Sequence, residues 1–217
     1  MTTIPQFDTI AEKVAFSLLN IAAVKLRPEQ PFQWASGWNS PIYCDNRFTL
    51  SYPEVRTLIK DSLVALVKKE FPNAASIAGV ATAGIPQAAL IADAMQLPMI
   101  YVRPKPKDHG MGNMIEGKIT PGQKVVVVED LISTGGSSLK AVEALKDAGF
   151  EVLGMVSIFT YDFEQATTAF RDAGLEYKSL TNYPTLIKLA LEKGIIPAGI
   201  EELLLNWSAN PAQWTGI

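Results

Sequence analysis

The sequence of 217 residues holds one cysteine and one histidine. A lone thiol, Cys44, closes no internal disulfide, which suits a reducing compartment. Beside Tyr43 it reads as a small core residue. No apolar run reaches the roughly 18 residues of a membrane span. The opening MTTIPQFDTIAEKVAF also lacks the basic start, apolar stretch and cleavage site of a secretory signal. A soluble, cytoplasmic protein with no membrane partner is expected. Charge of one sign is not in excess either: 19 basic against 22 acidic residues leave −3, and nothing in that total points to nucleic acid. Internal repeats and low-complexity segments are absent. So are the G-x-x-x-x-G-K-[ST] phosphate loop and the G-x-G-x-x-G dinucleotide fingerprint, which argues against the nucleotide folds that carry them.

What is present is an ordinary globular composition, 48% hydrophobic and 19% charged, enough to bury a core within one domain over residues 1–217. Residues 8–24 repeat Ile10, Val14, Leu18 and Ile21 at helical spacing behind the candidate caps Asp8 and Thr9. A proline-broken stretch rich in aromatics follows, RPEQPFQWASGWNSPIYCDNR. A second helix is then expected from about Pro53 to Phe71, with Val55, Leu58, Ile59, Leu66 and Val67 inward. Beyond it the rhythm changes. Short apolar runs at 76–81, 99–103, 124–130 and 151–160 alternate with helical segments at about 85–95, 136–148, 162–172 and 184–192, and a short strand fits 175–179. Such alternation predicts an α/β fold, a central and mostly parallel β-sheet flanked by helices. Its ligands belong beyond the carboxyl ends of the strands. The residues up to about 50 do not follow the alternation and are expected to form a small amino-terminal cap, or hood. The core then runs from about 51 to 217, with carboxy-terminal helices packed on the sheet or on a partner subunit.

Within that core, VVVVEDLISTGGSS (125–138) sets four β-branched residues ahead of two adjacent acids and a run of hydroxyl and glycine residues. The valines read as a central strand buried on both faces, which delivers Glu129 and Asp130 to the ligand edge. Residues 133–138 then offer backbone N–H groups under little side-chain cover, at the positive end of a helix starting near Gly136. A phosphate monoester suits such a cradle, and the acids suit sugar hydroxyls. The bland alternative is a well-capped connection with solvated acids.

This stretch resembles the phosphoribosyl diphosphate (PRPP) signature of the type I phosphoribosyltransferases. The resemblance implies their fold and PRPP contacts from Glu129, Asp130, Leu131, Ile132, Ser133, Thr134, Gly135, Gly136 and Ser137. A second stretch, RPKPKDHGMGNMIEG (103–117), is basic, glycine-rich and poor in apolar residues, and is expected to be exposed and mobile. It resembles the R-x-x-x-K-x-H-G loop of one branch, the orotate phosphoribosyltransferases, with Arg103, Lys107, His109 and Gly110 in register. In that family the loop reaches the neighbouring subunit's active site, which implies a homodimer with shared sites. The expected work of Arg103, Lys105, Lys107 and His109 is catalytic: to meet the diphosphate as it leaves, His109 by binding it or by giving it a proton. Pro104 stands where many members have lysine, and Lys105 is the candidate replacement.

SGWNSPIYCDNR (36–47) resembles the other half of the orotate signature, and GVATAGIPQAALIA (79–92) its diphosphate-contacting loop and helix. The substrates implied are PRPP and orotate, with Mg²⁺ as the metal, bridging diphosphate oxygens and sugar hydroxyls without a dedicated protein site. Ala35 and FTYDF (159–163) stand where some members carry a lysine and an arginine that meet orotate. Arg47, the Ser133 hydroxyl and backbone N–H groups are the candidates for the carboxylate, while Arg47 alternatively pairs with Asp45 or Glu54. A purine-using transferase and a PRPP-sensing regulator are the rival readings. A regulator would need a DNA-binding segment, and no basic helix-turn-helix is evident in the first 45 or so residues.

Overall fold

The computed structural model describes residues 7–34, 36–105 and 114–215. Thr9 caps α1 (Ile10–Asn20): its hydroxyl accepts from the Glu12 amide at 3.2 Å, and the Glu12 carboxylate accepts from the Thr9 amide at 3.2 Å. The buried stripe begins at Val14, so Ile10, expected inward, is 49% exposed. The hood that follows is built from very short strands. β1 (Val24–Leu26) and β4 (Ile42–Cys44) pair antiparallel, and β2 (Phe32–Gln33) and β3 (Asn39–Ser40) pair between them. A 3₁₀ helix, Asn46–Ser51, leads into α2 (Pro53–Glu70), whose proline sits in the first turn, where a missing N–H costs nothing.

The core alternates as expected: β5 (Ser76–Val80), α3 (Gly84–Met95), β6 (Met99–Val102), β7 (Ile115–Glu116), β8 (Lys124–Ile132), α4 (Gly136–Asp147), β9 (Glu151–Thr160), α5 (Glu164–Asp172), β10 (Tyr177–Asn182), α6 (Tyr183–Glu192) and α7 (Glu201–Ala209). The sheet runs β10-β9-β8-β5-β6-β7, parallel throughout except for β7. Three boundaries differ from expectation. The α5 helix starts at Glu164 because Asp162 takes a left-handed φ of +56°, which no helix accommodates. β10 lies later than its apolar residues suggest, at 177–182. β8 continues past the acids, since Leu131 and Ile132 remain in register with Phe159 and Thr160 of β9.

Helices cover both faces. Val126 and Val128 face the core shared with α1, α2, α3 and α6, while Val125 and Val127 face the one shared with α4 and α5. All four are fully buried, each contributing roughly 1.5–3 kcal/mol. The chain leaves β5 toward β6 on one side and returns to β8 on the other, so the order of strands reverses between β5 and β8. A crevice opens outside the carboxyl ends of two such strands. Close packing holds it in place: a Cβ on Gly84, at the start of α3, would overlap the Val128 carbonyl oxygen. Among the described residues no helix is long and apolar enough to cross a membrane.

Candidate active site

The carboxyl end of β8 projects Glu129 and Asp130 at the strand reversal. Glu129 is 6% exposed. Its carboxylate accepts from the Ser138 hydroxyl at 3.1 Å and from the Asp130 amide at 3.1 Å. Burial, and then the charge of Asp130, push the Glu129 carboxyl well above the usual carboxylate range. Burial also raises Asp130, against the opposing pull of its contact with Glu129. In the free protein the pair is therefore reluctant to carry two negative charges, and a cation placed beside it would relieve that reluctance.

Beyond the acids, Ile132 turns its side chain into the core with no exposed surface, which leaves its backbone for the contact expected of it. The turn proper is Ser133 to Gly135. Gly135 adopts φ +80° as the cap of α4, and a Cβ there would lie 2.7 Å from Cε2 of Phe170. Among the described residues, none accepts a hydrogen bond from the backbone N–H of Thr134, Gly135, Gly136 or Ser137. These donors converge at a helix start, where the aligned peptide dipoles add positive potential. The arrangement is one that suits an anion.

Across from this turn the hood meets the sheet. The Asn46 side-chain amide, in the 3₁₀ helix and 1% exposed, donates to the Asp130 carbonyl at 2.7 Å, and its oxygen accepts from the Cys44 thiol at 3.3 Å. Between hood and strand ends lies a cavity of about 370 Å³, walled by Gln33, Trp34, Tyr43 and Cys44 on one side and by Leu131, Ser133 and Tyr161 on the other. Trp34, Tyr43 and Tyr161 give it three aromatic walls, which suit a planar ring. Trp34 is held by Trp207 of α7, edge to face at 5.8 Å, and the Trp207 indole N–H donates to the Asn39 carbonyl at 3.1 Å. The carboxy-terminal tail thus braces the hood, a role its amphipathic pattern did not reveal.

The basic residues fall differently. Arg103 follows β6, pairs with Glu116 at 3.7 Å, and shares with Ser137 and Lys140 a second cavity of about 230 Å³. Lys105 is exposed. Lys107 and His109, the expected diphosphate contacts, lie outside the described residues, as does Ala35. Arg47 is bonded through two nitrogens to the Asp45 carboxylate, both at 2.7 Å. The ion pair with Asp45 is realised here, and it leaves Arg47 outside the cavity walls. Sequence reasoning missed Asn46 and Tyr161. Each had an available signal, Asn46 as a polar residue between two matched positions, and Tyr161 as an aromatic just past a strand end.

The phosphoribosyl transferase domain family matches residues 53–182. An orotate phosphoribosyltransferase of Cytophaga hutchinsonii is 64% identical over 203 residues, 94% of this chain and 97% of that protein. Among solved structures, the orotate phosphoribosyltransferase of Aeropyrum pernix aligns with a TM-score of 0.74 at 30% identity, over 85% of this chain and 99% of that one. That of Mycobacterium tuberculosis in complex with PRPP aligns with a TM-score of 0.64 at 27% identity, over 82% and 98%. A family match to more than half of the sequence, joined to a relative this similar over nearly its full length, places the chain in the phosphoribosyltransferase family, within its orotate phosphoribosyltransferase branch.

Proposed function

We propose that the protein is a pentosyltransferase that moves the phosphoribosyl group of PRPP onto orotate, releasing diphosphate and orotidine 5′-monophosphate on the route to UMP. One observation carries the reading. The amides from Thr134 to Ser137, without partners among the described residues, follow the buried carboxylate pair along the chain, and Ser133 between them lines the cavity that Trp34, Tyr43 and Tyr161 also wall. That order matches phosphate, sugar and base along one substrate.

The roles follow from the chemistry. The 134–137 amides hold the 5′-phosphate, with Ser133 at the boundary between phosphate turn and base cavity. Glu129 and Asp130 accept from the ribose hydroxyls. As the bond to diphosphate breaks, the sugar becomes oxocarbenium-like, and a carboxylate pair that resists double ionisation gains most from that positive charge. Arg103, Lys105, Lys107 and His109 neutralise the leaving diphosphate. The segment that bears them leaves and rejoins the sheet at the edge pair β6 and β7, which supports closure over a neighbouring subunit's site in a homodimer. The likeness to a PRPP complex supports the sugar phosphate assignment.

Mg²⁺ fits as a partner of the substrate. A hard ion of this kind takes oxygen ligands and keeps several waters, and the diphosphate and hydroxyl oxygens of PRPP would supply most of the rest. When bound, it supplies charge neutralisation at the diphosphate. The test is direct: incubate the protein with PRPP, Mg²⁺ and orotate and follow the loss of orotate absorbance. Absence of that loss, with diphosphate released when a purine base is supplied, would assign the protein to the purine enzymes.

A further inference from the structure

Seven aromatic rings crowd the region behind the base cavity, and three of their polar tips are satisfied inside the protein. The Trp34 indole donates to the Ile42 carbonyl at 3.3 Å, the Trp207 indole to the Asn39 carbonyl, and the Tyr183 hydroxyl to the Leu204 carbonyl at 3.1 Å. Tyr161 is different. It is 2% exposed, yet its hydroxyl makes no hydrogen bond to any described residue. Nor is that hydroxyl sealed. The buried side-chain polar atoms without partners among the described residues are Gln87 Oε1 and Thr181 Oγ1, so the Tyr161 oxygen opens on the cavity whose wall it forms. Buried tyrosines ordinarily find a partner for this group, and an orphaned donor costs about as much as a lost hydrogen bond.

The ring itself cannot turn away. Phe163 stacks on it at 5.2 Å and 9°, Trp34 lies at 5.0 Å, and Phe159 meets it edge-on at 5.1 Å. A hydroxyl held this firmly, with no partner among the described residues, is preorganised for a ligand atom. Among the described residues the cavity wall holds no cation: its polar groups are Gln33, Tyr43, Cys44, Ser133 and Tyr161. A pyrimidine bearing carbonyl and carboxylate oxygens must be read there by neutral donors.

Resting on the proposed orotate reaction, we infer that Tyr161 is a specificity residue of this chain, its hydroxyl donating a hydrogen bond to an oxygen of the pyrimidine. Burial raises the hydroxyl's pKa well above the ordinary tyrosine value, which keeps it a donor. Discrimination of this kind comes from the group left unpaired when the wrong base enters.

Tyr161→Phe removes one oxygen that has no partner among the described residues, so the variant is expected to fold and melt like the wild type. Its KM for orotate should rise roughly 10-fold to 100-fold, the scale of a lost hydrogen bond to a charged or strongly polar group. The KM for PRPP should stay within about twofold and kcat should change less than KM, the signature of lost ground-state binding. Direct titration of orotate, followed by quenching of tryptophan fluorescence in the cluster around Tyr161, should show the same loss. An unchanged orotate KM, or equal losses for orotate and PRPP, overturns the assignment. If the wild type itself consumes no orotate, the reaction is wrong and not merely the residue.

Discussion

Gly135 and Gly136 are adjacent and chemically identical, yet the structure assigns them opposite tolerances. Gly135 sits at φ +80°, a region that costs a residue with a Cβ roughly 1–2 kcal/mol. An added methyl would also approach Cε2 of Phe170 to 2.7 Å. That ring is 1% exposed and packs against Tyr177 at 4.5 Å, so it has nowhere to retreat. Overpacking of this kind costs about 1–3 kcal/mol. Gly135→Ala is therefore expected to lose about 2–5 kcal/mol, and at roughly 2–4 °C per kcal/mol for a chain of this size, its melting temperature should fall by roughly 4–20 °C. Gly136 opens the helix with no atom within 4 Å of a built Cβ. Alanine there should be neutral or slightly stabilising, by less than about 1 kcal/mol. The assay is thermal unfolding of both variants by circular dichroism in one buffer without ligand. A Gly135→Ala protein melting within a degree of wild type, or a Gly136→Ala protein falling as far, would refute the geometry assigned to the phosphate turn.

Three further outcomes are expected. The Glu129 carboxyl is raised in the folded state above its usual 4.5, so its contribution to stability is complete below about that pH and is lost as pH rises through the raised value. Glu129→Gln should thus match wild type in urea denaturation under acid conditions and exceed it progressively toward neutrality, while losing activity; a difference constant with pH contradicts the sign. Asn46→Ala removes the 2.7 Å bond between hood and strand and should lower stability by about 1–3 kcal/mol, read as a shifted urea midpoint at unchanged slope. An unmoved midpoint would show that the hood is held elsewhere. Lys107→Ala should depress turnover by orders of magnitude with a much smaller effect on PRPP binding, since lid contacts form mainly during reaction; parallel losses would place the lysine in ground-state binding.

The parts of the fold legible in the sequence are those with a period. Val125 to Val128 announced a strand buried on both faces, and the alternation around it announced a mostly parallel sheet. The hood's ladders are two or three residues long, too short to carry any alternation, and β7 is no longer. Site chemistry followed the same division. The turn after β8 was readable because its glycine and hydroxyl residues are contiguous, whereas the base cavity joins residues from 33 to 161 and exists only after folding. Arg47 shows the limit of charge as evidence. Its guanidinium suited a ligand carboxylate and a pairing with Asp45 or Glu54 equally, and only the folded chain shows the pairing with Asp45.

The bond from Trp207 to the Asn39 carbonyl spans 168 positions of chain. At roughly 5–20 residues per second of synthesis, the segment holding Trp34 and Trp38 leaves the ribosome roughly 8–34 s before the helix that braces it exists. Until Tyr161 and Phe163 emerge those aromatics lack their partners from the sheet, and until Trp207 emerges they lack the brace from α7. The polar and proline residues threaded among them, Gln33, Ser36, Asn39, Ser40 and Pro41, interrupt what would otherwise be a sticky nascent strand. The hood's irregular wording thus suits a segment whose brace is made last.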